Sequence, residues 1–261
     1  MTNDTAQTSP HKHLTRDGGV SIAYQRVEGK GDLPGVVFLS GFNSDMTGTK
    51  AVALEQFCAA RGQAFLRFDY QGHGQSSGRF EDGTIGLWRD DALAVFDALT
   101  SGPQVLVGSS MGGWLALLVA LARPERVVGL AGVAPAADFT EALMWPRLPE
   151  AVREAIIRDG IVRLPSAYDP TGYPVTRALF EDGKRHCLLD GPIALGCPVR
   201  ILQGTADPDV PWQHAIRLAE AIGHGDVLVT LIKNGDHRLS SPENLARLDA
   251  IVLELSGRSG P

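Results

Sequence analysis

Cysteine is scarce. The 261 residues hold three, Cys58, Cys187 and Cys197, an odd number with no Cys-x-x-Cys spacing. That pattern argues against both a disulfide framework and a zinc cluster, and the three read as inert reduced thiols. Basic runs are missing as well. With 24 Lys and Arg against 30 Asp and Glu the formal net charge is -6, so there is no cationic footprint for nucleic acid or an anionic membrane surface. No apolar run reaches the roughly 18 residues that a membrane span needs. The opening MTNDTAQTSPHKH is polar throughout, which a signal peptide cannot be. These absences predict a cytoplasmic protein that acts on small molecules or on other proteins. No internal repeat is visible, and residues 1–12 and the closing SGRSGP are expected to be disordered tails.

What the chain does have is alternation. Short β-branched or apolar runs bounded by Gly and Asp recur at SIAYQRV, GVVFLS, AFLRFDY, QVLVGS, RVVGLAGVA, PVRILQG and DVLVTLIKN. They are too short for buried helices and suit a mainly parallel sheet covered on both faces. Between them, helical periodicity covers Lys50 to Ala60, Ile85 to Leu99, Met111 to Ala122, Pro211 to Ile222 and Pro242 to Leu255. Ser241 before Pro242 has the form of an N-cap, and Asp17-Gly18-Gly19 signals an N-terminal hairpin. The expected fold is therefore α/β, an antiparallel edge followed by a doubly wound parallel sheet, in one domain over residues 13–256. About 60 residues separate the strands ending at Ala134 and starting at Pro198, far beyond an ordinary connection. An insertion at about 138–192 is predicted, with Leu148, Val152, Ala155, Ile156 and Asp159 on one face of a short helix and Pro149 near its start. It has the form of a lid.

The segment VLVGSSMGGW, Val105 to Trp114, places two serines between a strand and an apolar helix. A serine hydroxyl is a weak nucleophile, so it needs a base, a group that orients the base, and donors for the developing oxyanion. Ser110 stands in the Gly-x-Ser-x-Gly frame set by Gly108 and Gly112, at the strand-to-helix turn called a nucleophile elbow. Ser109 is out of frame. Ser76 matches the same pentapeptide in Gly74-Gln75-Ser76-Ser77-Gly78, but in a turn-rich loop with no strand before it or apolar helix after it. In the elbow layout the acid and base follow in later loops. Asp207 closes the strand PVRILQG and is preferred to Asp209; His237 closes DVLVTLIKN. His73, in the glycine-rich turn Gly72-His73-Gly74, precedes the elbow and reads as structural. His11 and His13 lie near the tail, His186 in the insertion, and His214 and His224 on or after a surface helix. The Met111 and Phe42 amides are the expected oxyanion donors, with Gly41 keeping the backbone close to the substrate. Leu143, Met144 and Trp145 of the insertion are candidate acyl-pocket residues. No metal or cofactor is called for by this chemistry.

With these residues in place the chain resembles the α/β-hydrolase superfamily from about Gly19 to Leu255. The segments RFDYQGHGQSSG, Trp88-Arg89, VGSSMGGWLAL, ARPERVVGLAGVA, HCLLDGPI, CPVRILQGTADPDVPW and GDHRLS resemble a group of mitochondrial serine hydrolases and their bacterial relatives. That resemblance implies thioesterase action on palmitoyl-cysteine or esterase action on acyl glucuronides, with the triad carried onto Ser110, Asp207 and His237. The substrate would be a small-molecule ester or an acylated protein. The expected activity is a serine carboxylesterase or thioesterase; C–C bond hydrolysis or cofactor-free perhydrolysis uses the same triad and fold, and a ligand-binding pseudoenzyme is the non-catalytic alternative.

Overall fold

A computed structural model describes residues 11–165 and 172–257. The expected tails fall largely on residues 1–10 and 258–261, and Tyr168, Asp169 and Pro170 of the insertion on 166–171; all lie outside the described residues. Strand β1, Lys12–Thr15, starts one residue inside the expected N-terminal tail and pairs antiparallel with β2, Ser21–Val27. The chain continues through β3 (Gly35–Leu39), α1 (Thr49–Ala60), β4 (Phe65–Phe68), α2 (Ile85–Leu99), β5 (Gln104–Ser109), α3 (Met111–Ala122) and β6 (Val127–Val133). The insertion then supplies a π-helical turn Phe139–Met144, α4 (Glu150–Asp159), a hairpin of β7 (Ile161–Leu164) and β8 (Tyr173–Thr176), and α5 (Arg177–Gly183). Strand β9 (Val199–Gly204), α6 (Trp212–Ala221), β10 (Val227–Ile232) and α7 (Pro242–Ser256) complete the described chain.

Eight strands form one sheet in the order β1-β2-β4-β3-β5-β6-β9-β10. β2 runs antiparallel to β1 and β4, and every other neighbouring pair is parallel. This is the doubly wound sheet with an antiparallel edge that the alternation predicts. Strand periodicity splits its side chains between two cores. Val36, Phe38, Val105 and Val107 pack under α1 and α7 with Leu54, Leu248 and Val252. Val37, Leu39 and Leu106 face α2, α3 and α6 with Trp88, Trp114 and Leu218. Helix α3 is apolar all round and buried from Met111 to Ala120, as a helix packed against the centre of a sheet must be.

Two local expectations differ from the structure. β10 is the sheet edge, so Leu228 and Leu231 are exposed rather than covered. Pro211 and Pro149 sit at the N-cap positions of α6 and α4, one residue earlier than a proline inside the first turn, whereas Pro242 does open α7 under the Ser241 cap. His214 does lie on a surface helix, α6, but on its inner face, where burial pushes its imidazole down to about 4. The insertion has a small core of its own, Leu148, Ile156, Val175 and Phe180. Its base is closed by Asp138, a buried residue with left-handed backbone (φ 55°) whose carboxylate accepts the Leu188 N–H at 2.8 Å and the Leu189 N–H at 2.7 Å. Cys58 and Cys197 are buried, and that burial pushes their thiols up to about 12 and about 11.

Candidate active site

The parallel sheet reverses its winding at β3, because β4 lies on one side of it and β5 on the other. Loops leaving the carboxyl ends of β3 and β5 diverge there and leave the crevice in which open α/β sheets bind ligands. Ser110 is the whole turn between β5 and α3, with φ 54° and ψ -121°. A non-glycine residue held there costs about 1–3 kcal/mol, so the surroundings must impose it. They do so by hydrogen bonds and by close packing. Ser110 N–H donates to Val133 O at 2.9 Å, and Ser110 O accepts from Gly113 N–H at 2.9 Å and Ala136 N–H at 3.0 Å. A Cβ at Gly108 would strike Gly112, and one at Gly112 would strike Leu39 O, so glycine is required on both sides of the turn.

The loops after β9 and β10 are laced together. Thr205 N–H donates to Ile232 O at 2.9 Å, Ala206 N–H to Gly235 O at 3.0 Å, and Asn234 N–H to Thr205 Oγ1 at 2.8 Å. Asp207 and His237 are thereby brought to the same end of the sheet as Ser110. His237 Nε2 lies 3.1 Å from Ser110 Oγ, and His237 Nδ1 lies 2.8 Å from Asp207 Oδ2. The Asp207 side chain has no exposed surface. Its Oδ1 accepts the Asp209 and Val210 N–H groups, each at 2.9 Å, and Oδ2 also accepts from Gln203 Nε2 at 3.2 Å. Burial alone would raise the carboxyl; the hydrogen bonds from His237, Val210 and Asp209 outweigh it and hold Asp207 below the usual carboxylate range. An ionised Asp207 can only accept, so Nδ1 carries the imidazole proton and Nε2 of the neutral ring is left as an acceptor for the serine hydroxyl. The three side chains singled out from the sequence form one hydrogen-bonded chain. Asp209 serves that chain through its amide, not its carboxylate.

The competitors are placed elsewhere. Ser76 Oγ donates to Asp69 O at 2.6 Å and accepts Ala23 N–H at 2.9 Å, which stitches its loop to β2. His73 is enclosed by Tyr70, Phe80 and Trp88 at ring separations of 5.5, 5.0 and 5.0 Å, and burial pushes it down to about 4. Asp207, Asp209 and His237 present ligand atoms within 4.8 Å of one another. The Asp207–His237 hydrogen bond already uses the lone pair and the proton position that an ion would compete for.

Over the chain opens a cavity of about 660 Å³, the size of a small-molecule site. Gly41, Phe42, Ser110, Met111 and His237 line it, and the insertion adds Phe139, Leu143, Met144 and Leu148 as an apolar wall. Trp145, expected beside Met144, instead packs its ring on Phe180 at 4.9 Å within the insertion's core. Asn43, Ser44, Thr49, Lys50 and Arg238 add polar lining that no sequence motif announces. Lys50 Nζ donates to Arg238 O at 2.6 Å, and burial pushes its ammonium down to about 8.

The sequence pattern of the Alpha/beta hydrolase family matches residues 36–248, from β3 into α7. The chain belongs to the α/β-hydrolase family. Among curated α/β-hydrolase relatives it is similar to mouse palmitoyl-protein thioesterase ABHD10, mitochondrial, at 43% identity over 93% of this chain and 81% of that protein. The human protein of the same name is 43% identical over 90% of this chain and 76% of its own length. The solved structure of alpha/beta hydrolase domain-containing protein 10 from mouse covers 95% of this chain and 98% of its own, with a TM-score of 0.87 and 42% identity. These relatives correct one expectation from the sequence. Both curated proteins are named as mitochondrial, which points away from the purely cytoplasmic location inferred from a polar N-terminus, so that location is withdrawn.

Proposed function

We propose that this α/β hydrolase cleaves acyl thioesters, and esters of similar shape, through an acyl-enzyme on Ser110. The observation that carries the reading is the Ser110–His237–Asp207 chain beside a cavity lined both by apolar side chains of the insertion and by polar side chains. In the first half-reaction His237 Nε2 takes the Ser110 proton as Oγ attacks the carbonyl carbon, and the negative charge moves onto the carbonyl oxygen. The amides of Met111 and Phe42 receive that oxyanion. Met111 is the first residue of α3, where an amide has no intrahelical acceptor and the helix dipole adds to its donor strength. Gly41 permits the approach of the Phe42 loop, since a Cβ there would lie 3.3 Å from Ser110 Cβ. Collapse expels the thiol or alcohol with the proton from His237, and water then repeats the sequence to release the acid. The acyl chain lies against Phe139, Leu143, Met144 and Leu148, and the leaving group faces Asn43, Ser44 and Lys50. The relatives named as palmitoyl-protein thioesterases support a long acyl chain and sulfur as the leaving atom.

A panel of thioesters and oxygen esters of increasing acyl length tests this reading. Each methylene brought onto the apolar wall is worth about 0.8 kcal/mol, so kcat/KM should rise by about two- to fourfold per carbon until the cavity is full. Equal rates for acetyl and long-chain acyl groups would contradict the assignment of the apolar wall to the acyl chain.

A further inference from the structure

Phe42 is built into the protein by its ring. The ring meets Phe80 at 4.9 Å and Trp88 at 5.9 Å on the body of the domain, and Phe139 and Tyr173, both at 5.6 Å, on the insertion. It packs against the main core and against the insertion's own core at once. The backbone that carries it is anchored further out. Tyr70 Oη donates to Ser40 O at 3.3 Å; Met46 N–H donates to Asp69 Oδ1 at 2.7 Å, and Met46 O accepts from Arg67 Nη1 at 2.6 Å. Between those anchors, Asn43 has left-handed backbone with φ 52° and Ser44 N–H closes on Gly41 O at 3.2 Å. The loop thus folds on itself there, and the Phe42 ring carries its contact with both the body and the insertion.

We infer that the Phe42 ring is a positioning element which sets the oxyanion-hole amide of the same residue and couples that amide to the insertion. The inference rests on the acyl-enzyme reading above. Ring contacts are directional, and two of the four, the tilted one with Phe139 and the edge-on one with Tyr173, come from the π-helical turn and from β8 of the insertion. A shift of the insertion therefore moves the ring, and the ring moves the amide one Cα away. Misplacing a catalytic group by about 1 Å costs on the order of a hundredfold in rate. The insertion also supplies Leu143 and Met144 to the apolar wall. An acyl chain that seats the insertion would in this way tighten the oxyanion hole, so that chain length is read in kcat as well as in KM, as transition-state binding requires.

The test is a double-mutant cycle on Phe42→Ala and Tyr173→Ala, measured on a long-chain thioester. Phe42→Ala keeps the N–H but frees it, and should lower kcat about 30-fold with KM within threefold of wild type. Inhibition by a trifluoromethyl ketone, which mimics the tetrahedral oxyanion, should weaken by a similar factor. Tyr173→Ala should lower kcat about fivefold in the wild-type background but less than twofold in Phe42→Ala, and Tyr173→Phe, which keeps the ring, should restore most of the rate. Multiplicative effects, or a loss confined to KM, or an unchanged kcat per folded molecule, would overturn the inference. Should Phe42→Ala not fold, the Tyr173→Ala and Tyr173→Phe pair decides alone: equal kcat in both overturns it. Ser110→Ala separates the two levels. If it keeps turnover, the acyl-enzyme reading fails; if it is inactive while Phe42→Ala has wild-type kcat, only the positioning role fails.

Discussion

Ser110→Ala is expected to lower kcat by roughly 10^6-fold on any ester or thioester the protein turns over, the loss seen when a triad serine is removed from a serine protease. The reason is local. Ser110 alone occupies the turn between β5 and α3, and its Oγ is the atom in reach of His237 Nε2. Ser109 ends the strand and Ser76 spends its hydroxyl on Asp69 O and Ala23 N–H, while among the described residues it is Ser110 that is hydrogen-bonded to His237. The substitution removes one oxygen from a site whose backbone is held by Val133, Gly113 and Ala136, and unfolding should be unaffected or slightly disfavoured. Steady-state kinetics on an aryl ester, with a denaturation curve on the same sample, checks both parts. A residual rate within tenfold of wild type would remove Ser110 from the mechanism.

Asp207→Asn should cost about 10^4-fold in kcat while leaving the fold intact, by the same logic as the corresponding change in a serine protease. Asparagine has one acceptor oxygen where Asp207 has two. The Asp209 and Val210 amides both point at Oδ1, so the amide oxygen of asparagine settles there. That puts its NH2 in the place of Oδ2, facing His237 Nδ1. The imidazole must then turn Nδ1 into the acceptor and carry its proton on Nε2, where it meets the Ser110 hydroxyl and cannot take a proton from it. Geometry is kept and the tautomer is wrong. The expected signature is a fall in kcat with little change in KM or in melting temperature. A matching loss from Asp209→Asn would instead point to a shared acidic pair, which the amide role of Asp209 does not support.

The sheet was legible because its strands are short, apolar and separated by helical periods, and because Asp17-Gly18-Gly19 announces the antiparallel edge. Helices α2 and α3 have the boundaries that their periodicity predicts. The hydrogen-bonded chain of Ser110, His237 and Asp207 was legible for a similar reason. Each of its residues sits immediately beyond a readable strand, so chain position stands in for spatial position. The wall residues had no such signal. Lys50 and Arg238 come together through a side-chain-to-backbone bond spanning 188 residues, and no local pattern encodes it. The hairpin β7–β8 is only four residues per strand, too short for a period to emerge. Trp145 looked like a pocket residue because it is large, apolar and next to Met144; its partner Phe180 lies 35 positions further on, in α5. The role of the Phe42 ring was equally hidden, because its four neighbours come from four separate segments.

In the proposed mechanism turnover depends on Ser110 as an activated nucleophile. A fluorophosphonate probe followed by peptide mass spectrometry measures this directly, with hydrolytic activity read in parallel. One phosphonyl adduct per chain is expected, on Ser110, with activity lost in proportion to labelling and no adduct on the Ser110→Ala protein. Full labelling of Ser110 with undiminished hydrolysis, or an adduct on Ser76 or Ser109 that tracks the loss of activity, would contradict that mechanism.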